Sequence, residues 1–359
     1  MSVATLSIHT SDRATFKHCR RKWDFTSPIR QNLQPKISSF GVQWPLWFGT
    51  GIHKVLEMYY DSIANPQSAY IPMWQMWQEW YAMQVVEIHR QAPGYYEENI
   101  ETFDKHLDLG LGMMRFYEQY ATSNDKFTMI EPEHDFSVPL DPTILTASHP
   151  VYGPPNPILY EGRMDGLIQD DQGRIGILET KTASSITEDY LAKLDMDEQC
   201  TSYLWAAQHE GHNAEFVLYN ILAKHYPKPP TVLKNGTLSV DRSQGTTSRL
   251  FLEAALDNNL VGTDWWSSER VVNYREFLDE QGDSLFITRK KVLRNQWQID
   301  NCGKRIAQEV QDMLSDPHVY PNPTGNWECI HCAFRPPCLQ MEDGSDPTYT
   351  LEENYEARS

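Results

Sequence analysis

Residues 160–183 constrain the fold most strongly, because they combine two apolar strand patterns with a turn between them. Residues 162–169 and 174–182 carry apolar residues at the spacing and run length of strands. Residues 170–173, Asp-Asp-Gln-Gly, are typical of a tight turn. We therefore predict a β-hairpin that is half-buried in the core of the protein.

Three charged residues interrupt this apolar hairpin: Asp165 in the first predicted strand, and Glu179 and Lys181 in the second. Glu179 and Lys181 are two residues apart, so their side chains point to the same face of the sheet. Burying such charges is costly unless they are paired. A divalent cation between the two carboxylates would neutralise them and leave the lysine free to meet an anion. The simpler alternative is an ordinary surface ion pair between Glu179 and Lys181.

His53 lies in a predicted helix, where Glu57 shares its face four residues later. A single helical histidine is more often structural than a ligand, so its interpretation depends on what it faces. Together with Asp165 and Glu179, a neutral imidazole would suit Mg²⁺ or Mn²⁺, and it favours Mn²⁺. Such a metal lowers the pKa of a bound water, and Lys181 would hold that water or the developing charge. This set of residues predicts hydrolysis of a phosphodiester.

The remaining patterns predict helices that alternate with strands. Helical periodicity covers residues 72–91, 98–121, 186–211, 248–258, 269–279 and 292–314, and strand patterns cover residues 127–140 and 214–224. This order predicts an α/β fold with a mixed sheet and helices on its faces. In the helix at 186–211, Gln199 and Tyr203 lie one turn apart on one face, as an ordinary amphipathic helix would place a solvated glutamine and a packed tyrosine.

Four of the six cysteines have the spacing of metal ligands. Cys329, Cys332 and Cys338 lie in a short proline-containing segment, and three thiolates are one too few for a closed four-coordinate site. Cys19, within a basic predicted helix near the other end of the chain, is the best candidate for the fourth ligand. Their spacing leaves a structural zinc and a 4Fe-4S cluster open, and either would pin the two ends of the chain together.

The charge balance restricts the partners that the protein can bind. The chain has 31 basic and 49 acidic residues, which give a net charge of −18. Such acidity argues against nucleic acid as a partner. However, residues 342–359 hold six acids and one arginine, and residues 13–22 hold five bases and no acid. A local basic channel could still hold phosphates with modest, salt-sensitive affinity.

The apolar patterns predict neither a membrane span nor export. No run of about 18 apolar residues occurs. Residues 1–10 lack the charged and apolar regions of a secretory signal. We therefore expect a cytoplasmic protein.

Five motifs in the right order resemble those of a known nuclease family. The spacing Gly-x-x-Asp, a turn, and then I-L-E-T-K-T resembles the PD-(D/E)xK nuclease superfamily. The upstream G-T-G-I-H-K-V-L-E and the downstream Q-C-T-S-Y resemble motifs of its RecB-like exonuclease branch. The cysteine pattern resembles the iron–sulfur members of that branch, which are the Cas-four-type exonucleases of CRISPR adaptation, with phage-encoded relatives, and the AddB nuclease domain.

The resemblance implies a restriction-endonuclease-like mixed β-sheet core flanked by helices. It implies a metal-dependent exonuclease that digests single-stranded DNA from an end. The implied ligands of the catalytic Mg²⁺ or Mn²⁺ are His53, Asp165, Glu179 and the Thr180 carbonyl. Lys181 would be the catalytic lysine, and Gln199 and Tyr203 would orient DNA or the catalytic groups.

The same resemblance assigns the cysteines and the partners. The implied ligands of a 4Fe-4S cluster are Cys19, Cys329, Cys332 and Cys338. Protein partners in recombination or CRISPR adaptation are implied as well. A bacterial cytoplasm would be the location if the chain is phage-encoded.

The expected organisation is a single nuclease domain over residues 1–340 with a core at about 125–225. We expect helical insertions at about 70–121 and 245–314, which could cap the active site. The cluster-binding ends would be residues 11–26 and the irregular segment 321–340, followed by a loosely held acidic tail at 341–359. The alternative function, which the net charge of −18 favours, is a catalytically inactive DNA- or partner-binding module on the same fold.

Overall fold

The computed structural model describes residues 6–65, 70–141, 143, 145, 157–315, 319–323 and 325–358. The strands within these residues are β1 (Leu6–His9), β2 (Leu33–Pro35), β3 (Phe127–Pro139), β4 (Ile158–Asp170), β5 (Ile175–Ala183), β6 (Ala214–Ala223), β7 (Ile287–Leu293) and β8 (Tyr355–Ala357). The helices are α1 (Thr10–His18), α2 (Arg20–Thr26), α3 (Ile37–Phe40), α4 (Trp44–Ala64), α5 (Met73–Gln91), α6 (Tyr95–Glu98), α7 (Ile100–Asn124), α8 (Glu188–Leu194), α9 (Glu198–His209), α10 (Ser248–Asp257), α11 (Glu269–Gln281), α12 (Gln296–Ser315), α13 (Asn326–Ile330), α14 (Arg335–Asp343) and α15 (Thr348–Asn354).

Six strands form one mixed sheet. The long strand β4 pairs antiparallel with β3 on one side. On its other side, β4 pairs parallel with β1 near its start and antiparallel with β5 near its end. β5 pairs parallel with β6, and β6 pairs antiparallel with β7. The predicted α/β class, a mixed central sheet flanked by helices, is therefore confirmed.

The predicted hairpin is formed by β4 and β5. Asp170 organises its turn, since its carboxylate accepts hydrogen bonds from the backbone N–H of Gln172 (3.0 Å) and of Arg174 (2.9 Å). Leu167 and Ile177 are paired across the two strands and fully buried. A one-residue slip would turn both residues to the opposite face of the sheet, so their packing sets the register that carries the charged residues.

Two apolar cores cover the two faces of the sheet. The first packs against α1, α9 and α12, and the second packs against α4, α5 and α7. Successive residues of β4 serve opposite faces: Leu167 belongs to the first core and Ile168 to the second. The helices predicted at 72–91 and 98–121 are α5 and α7, and they belong to the second core, in which α5 packs against α4 and α7.

Three predicted helices have different bounds in the structure. The helix through Cys19 is broken there, because Cys19 has extended backbone (φ −160°, ψ 114°) between α1 and α2. The helix that carries His53, for which the sequence indicates a start near Gly51, begins at Trp44, where a proline occupies the first turn without losing a hydrogen bond. The predicted helix at 186–211 is divided into α8 and α9, since Asp197 caps α9 by accepting from the backbone N–H of Gln199 (2.9 Å).

The helix predicted at 292–314 begins too early, because residues 287–293 are a strand. They form β7, so part of the predicted helical insertion at 245–314 contributes a strand to the sheet, and the helix begins at Gln296. Basic residues of β7 pair with acids of the protein, as the distances of Arg289 to Asp125 (2.5 Å) and of Lys291 to Asp170 (2.8 Å) show. The helices α10 and α11 instead share a small apolar core of their own.

The C-terminal segment is docked, so the prediction of a loosely held tail is wrong for its described part. Residues 321–340, predicted to be irregular, contain α13 and the start of α14. β8 pairs antiparallel with β2, and α15 precedes it. Tyr355 is buried, stacks on Phe334 with ring centroids 4.9 Å apart, and donates a hydrogen bond to the carbonyl of Ala333 (2.6 Å).

Within the described parts of the chain, no helix has both the length and the apolar character that crossing a bilayer requires.

Candidate active site

The hairpin brings Asp165 and Glu179 together. Gly166 of β4 pairs with Leu178 of β5, so the two acidic residues are neighbours across the strands. The backbone N–H of Thr180 donates to Asp165 Oδ2 at 2.6 Å and fixes that carboxylate. The side chain of Asp165 is 24% exposed, whereas that of Glu179 is only 5% exposed.

His53 reaches this pair from α4. Its Nδ1 lies 3.1 Å from Asp165 Oδ1. The helix can lie close to α5 because of Gly51, where a Cβ atom would be 2.3 Å from the ring of Trp80. The structure therefore places His53 in contact with Asp165, although 112 positions separate them in the chain.

Lys181 is held by two acceptors. Its Nζ donates to Glu179 Oε1 and to Gln199 Oε1, both at 2.6 Å. Gln199 Nε2 in turn donates to the hydroxyl of Tyr203 at 2.7 Å. The helix α9 thus positions the lysine through Gln199 and Tyr203, which are one turn apart as the sequence indicates.

Burial controls the ionisation of these groups. Burial raises the pKa of Glu179 to about 7, and the charge of Asp165 adds to this effect while Lys181 opposes it. Burial by itself lowers the pKa of His53, but the hydrogen bond and charge of Asp165 outweigh it, so that pKa is raised. Glu179 Oε2 is buried and has no hydrogen-bond partner. A buried carboxylate oxygen without a donor is a position where a cation would be favourable.

The three predicted ligand residues are not arranged around a common point. Among the described residues, His53, Asp165 and Glu179 do not present three ligand atoms within 4.8 Å of one another. Opposite ligands of Mg²⁺ lie about 4.2 Å apart, twice the metal–oxygen distance. Lys181 pairs with Glu179 in this arrangement, and a metal ion shared with Asp165 requires the Glu179 carboxylate to turn toward Asp165.

Further charged residues share the cleft, which has a volume of about 610 Å³. Glu133 reaches it from an irregular part of β3, where its backbone is left-handed (φ 46°). Burial and the charge of nearby Glu57 raise the pKa of Glu133. Arg163 donates to Glu133 at 2.8 Å, and Lys54 pairs with Glu57 at 2.5 Å. The acidic run around Glu133 is visible in the sequence, but the backbone kink that aims it at the cleft is not.

A second cavity of about 900 Å³ adjoins the cleft. The two share Arg163, Gln199 and Tyr203 as lining residues. The continuous surface provides room for a substrate that extends beyond the reacting bond.

The basic residues of α1 are paired with acids at the edge of the second cavity. Arg13 is buried and donates from Nε to Glu309 Oε2 at 2.6 Å. Lys17 pairs with Glu198 and, at 3.4 Å, with Glu309. Arg13 and Lys17 therefore hold α1 against α9 and α12, and their charges are paired with acids of the protein.

The four cysteines of the predicted cluster share one neighbourhood, and all lie in the described part of the chain. Burial raises the pKa of Cys332, and the sulfurs of Cys19 and Cys329 add an electrostatic contribution. Burial likewise raises the pKa of Cys338, and Cys19 and Cys332 contribute. However, no three of the four sulfur atoms lie within 4.8 Å of one another.

The two ends of the chain are in direct contact around these cysteines. The backbone N–H of Arg20 donates to Asn322 Oδ1 at 2.6 Å. Arg21 donates from its guanidinium to the carbonyl of Val319 at 3.0 Å. These contacts hold α2 against residues 319–322, and the joint role of the cysteines in binding a cluster stays a prediction.

Comparison with known proteins identifies the family. The family model of the PD-(D/E)XK nuclease superfamily matches residues 10–339. Among solved structures, the crystal structure of SSO0001 is similar to this chain at 14% identity and a TM-score of 0.29, over 80% of this chain and 95% of that chain. A TM-score this low supports no structural conclusion. The comparison with curated proteins gives no match. The match over residues 10–339 includes β4, β5 and His53, and it shows that the chain belongs to the PD-(D/E)XK nuclease superfamily, whose members are nucleases that typically use Mg²⁺ or Mn²⁺.

Proposed function

We propose that the protein is a metal-dependent exonuclease that hydrolyses phosphodiester bonds from the ends of single-stranded DNA. The observation that carries this proposal is the convergence of His53, Asp165, Glu179 and Lys181 on one cleft from α4, β4 and β5. Family membership supports a hydrolase that acts on nucleic acids. The exonuclease activity and the preference for single strands are the parts that we propose in addition.

The residues fit a divalent cation of the Mg²⁺ or Mn²⁺ class. His53, Asp165, Glu179 and the Thr180 carbonyl would hold it, and Glu179 Oε2 is buried without a donor. The cation would supply a Lewis acid for the phosphate and lower the pKa of a bound water. Asp165 is already fixed by the backbone N–H of Thr180, so Glu179 is the ligand that turns.

Lys181 gains a new role when Glu179 has another positive partner. Its Nζ then keeps the hydrogen bond to Gln199, which Tyr203 supports from behind. From that position the ammonium can hold the attacking water or the developing negative charge on the phosphate. Gln199 and Tyr203 are thus positioning residues that act through Lys181.

Two features support a single strand as substrate. The cleft and the adjoining cavity share Arg163, Gln199 and Tyr203, so an extended strand can occupy both. The net charge of −18 and the pairing of Arg13 and Lys17 with acids leave little basic surface for the two backbones of a duplex.

The experiment compares end-labelled single strands, the matching duplex and a circular single strand, each with Mg²⁺ or Mn²⁺. We expect the labelled single strand to be digested and the circle to survive. Lys181→Met and Asp165→Asn should each reduce the rate by at least about 100-fold, whereas the exposed Lys234→Met should leave it unchanged. Cleavage of the circle would show an endonuclease, and no cleavage with either metal would favour the inactive binding module.

We further propose that Cys19, Cys329, Cys332 and Cys338 hold a 4Fe-4S cluster. A tetrahedral Zn²⁺ would need sulfurs about 3.8 Å apart, given a zinc–sulfur distance of about 2.3 Å. A four-iron cluster binds each thiolate to a different iron and therefore keeps the sulfurs farther apart. No three of these sulfurs lie within 4.8 Å of one another, so their arrangement does not match the spacing of a zinc site.

The test of the cluster is elemental analysis with visible spectroscopy on protein purified without oxygen. We expect about four irons and four sulfides per chain and a brown colour. Cys329→Ala should lose iron, and the buried Cys302→Ala, which lies outside the group, should retain it. A colourless protein with one zinc per chain would reject the cluster.

A further inference from the structure

A group of metal-ligand side chains lies outside the cleft and outside the cysteine group. His134 is on β3, and Glu210 and His212 follow one another closely at the end of α9. One nitrogen or oxygen atom of each lies within 4.8 Å of the other two. Among the residues that the structure describes, this is the single group of histidines, cysteines and acids that meets this criterion.

The backbone holds Glu210 and His212 rigidly. The N–H of His212 donates to the carbonyl of Ala207 at 2.9 Å, and the N–H of Gly211 donates to the carbonyl of Gln208 at 3.2 Å. These two bonds close the helix C-terminus in the manner of a Schellman motif, which requires a left-handed residue at Gly211 (φ 91°). Two of the three side chains therefore project from a fixed turn.

Two of the three side chains are also oriented by neighbours. His134 Nδ1 lies 3.0 Å from Glu131 Oε2, and His134 Nε2 lies 2.9 Å from Glu210 Oε2. The backbone N–H of Ser137 donates to the other oxygen of Glu210 at 3.0 Å. A carboxylate on the far nitrogen of a histidine is the usual support of a metal-binding imidazole, because it fixes the tautomer and the ring. Glu210 Oε2 and His134 Nε2 thus face each other, and His212 lies beside them with its ring centroid 5.0 Å from that of His134.

We propose that His134, Glu210 and His212 bind one divalent transition-metal ion, for which Zn²⁺ is the best match. Two imidazoles and one carboxylate are ligands that Zn²⁺ prefers, whereas Mg²⁺ and Ca²⁺ prefer oxygen alone. Tetrahedral zinc places nitrogen and oxygen ligands about 3.3 Å apart, which is close to the 2.9 Å between His134 Nε2 and Glu210 Oε2. The fourth position would be open to water.

The bound ion would join the edge strand β3 to the end of α9. His134 directly follows Glu133, whose left-handed backbone aims its side chain into the cleft. Clamping His134 would therefore stabilise the irregular part of β3. In the rival interpretation, His134 is an imidazolium that pairs with Glu131 and Glu210, and no metal ion binds. His212 then has no role in the pairing.

The experiment is a Zn²⁺ titration of the full chain after dialysis against EDTA, read by native mass spectrometry and by the melting temperature. His212→Gln should bind one equivalent fewer than the wild type and lose part of the zinc-dependent rise in melting temperature. Glu131→Gln should keep the stoichiometry but weaken the affinity of this site by about 10- to 100-fold. Circular dichroism verifies that both variants fold.

Two controls separate this site from other zinc sites. His89→Ala, an exposed histidine on α5, should behave as the wild type. Asp165→Asn, which disrupts the predicted catalytic site, should retain the equivalent that His212→Gln loses. If His212→Gln binds zinc with wild-type stoichiometry and affinity, the proposal is overturned and the rival ion pair stands.

Discussion

Glu179→Gln should change the pH dependence of stability in a way that reveals the buried carboxylate. The pKa of Glu179 is about 7 in the folded protein against an ordinary value of 4.5. Between these values the folded state binds a proton that the unfolded state does not bind, so stability is lost as the pH rises through the window. Each pKa unit corresponds to about 1.36 kcal/mol, so the loss for Glu179 should be about 3 kcal/mol.

The assay is urea unfolding of wild type and Glu179→Gln at several pH values from 4 to 8, with EDTA present to remove divalent ions. Gln lacks the titration but can still accept the hydrogen bond from Lys181. His53 titrates in the same direction in both proteins, since its pKa is also raised. As the pH rises through the window, the unfolding free energy of the wild type should therefore fall by about 3 kcal/mol relative to that of Glu179→Gln.

Adding Mn²⁺ at pH 8 provides the second half of the experiment. The wild type should be stabilised by about 2.7 kcal/mol at a metal concentration of 100 times Kd, and Glu179→Gln should gain much less. Parallel pH curves for the two proteins would refute the reasoning, because they would show that Glu179 is already ionised in the folded state.

Three further substitutions test other parts of the fold. Gln199→Leu should slow cleavage by about 10- to 100-fold with unchanged metal affinity, because Lys181 loses an acceptor at 2.6 Å; a parallel loss of metal affinity in calorimetry would contradict this role. Tyr355→Ala should lower the unfolding free energy in urea by about 3 kcal/mol, because a buried, stacked ring is removed; an unchanged value would separate the C-terminal segment from the folded unit. Arg289→Met should destabilise by about 3 kcal/mol, because the largely buried Asp125, which keeps the hydrogen bond from Tyr60, would lose its cationic partner, and adding Asp125→Leu should recover much of that loss in thermal unfolding; no recovery would point to packing rather than charge.

The local features of the active site are predictable from the sequence. Apolar residues around the Asp-Asp-Gln-Gly turn determine the hairpin, and the spacing of Glu179 and Lys181 places them on one face. The contact of His53 with Asp165 depends on α4 packing under α5, which involves residues far apart in the chain. The ligand chemistry of a divalent metal, together with the resemblance to a family, suggested that pairing, whereas periodicity predicted only the helix.

Features that depend on tertiary contacts were missed. β7 contains Arg289, Lys290 and Lys291, a run that resembles a solvated helix face until Asp125 and Asp170 are seen to neutralise it. The group of His134 and His212 spans 78 positions, and only the kinked β3 and the turn after α9 bring the two rings together.

The pairing of β2 with β8 has a consequence for biosynthesis. Pro35 lies opposite Tyr355, which the ribosome adds 320 positions later. At 5–20 residues per second, roughly 16 to 64 s pass before the early strand meets its partner. The sheet of β2 and β8 therefore cannot close until residues 355–357 have been synthesised, so β2 waits for its partner while the intervening strands and helices are made.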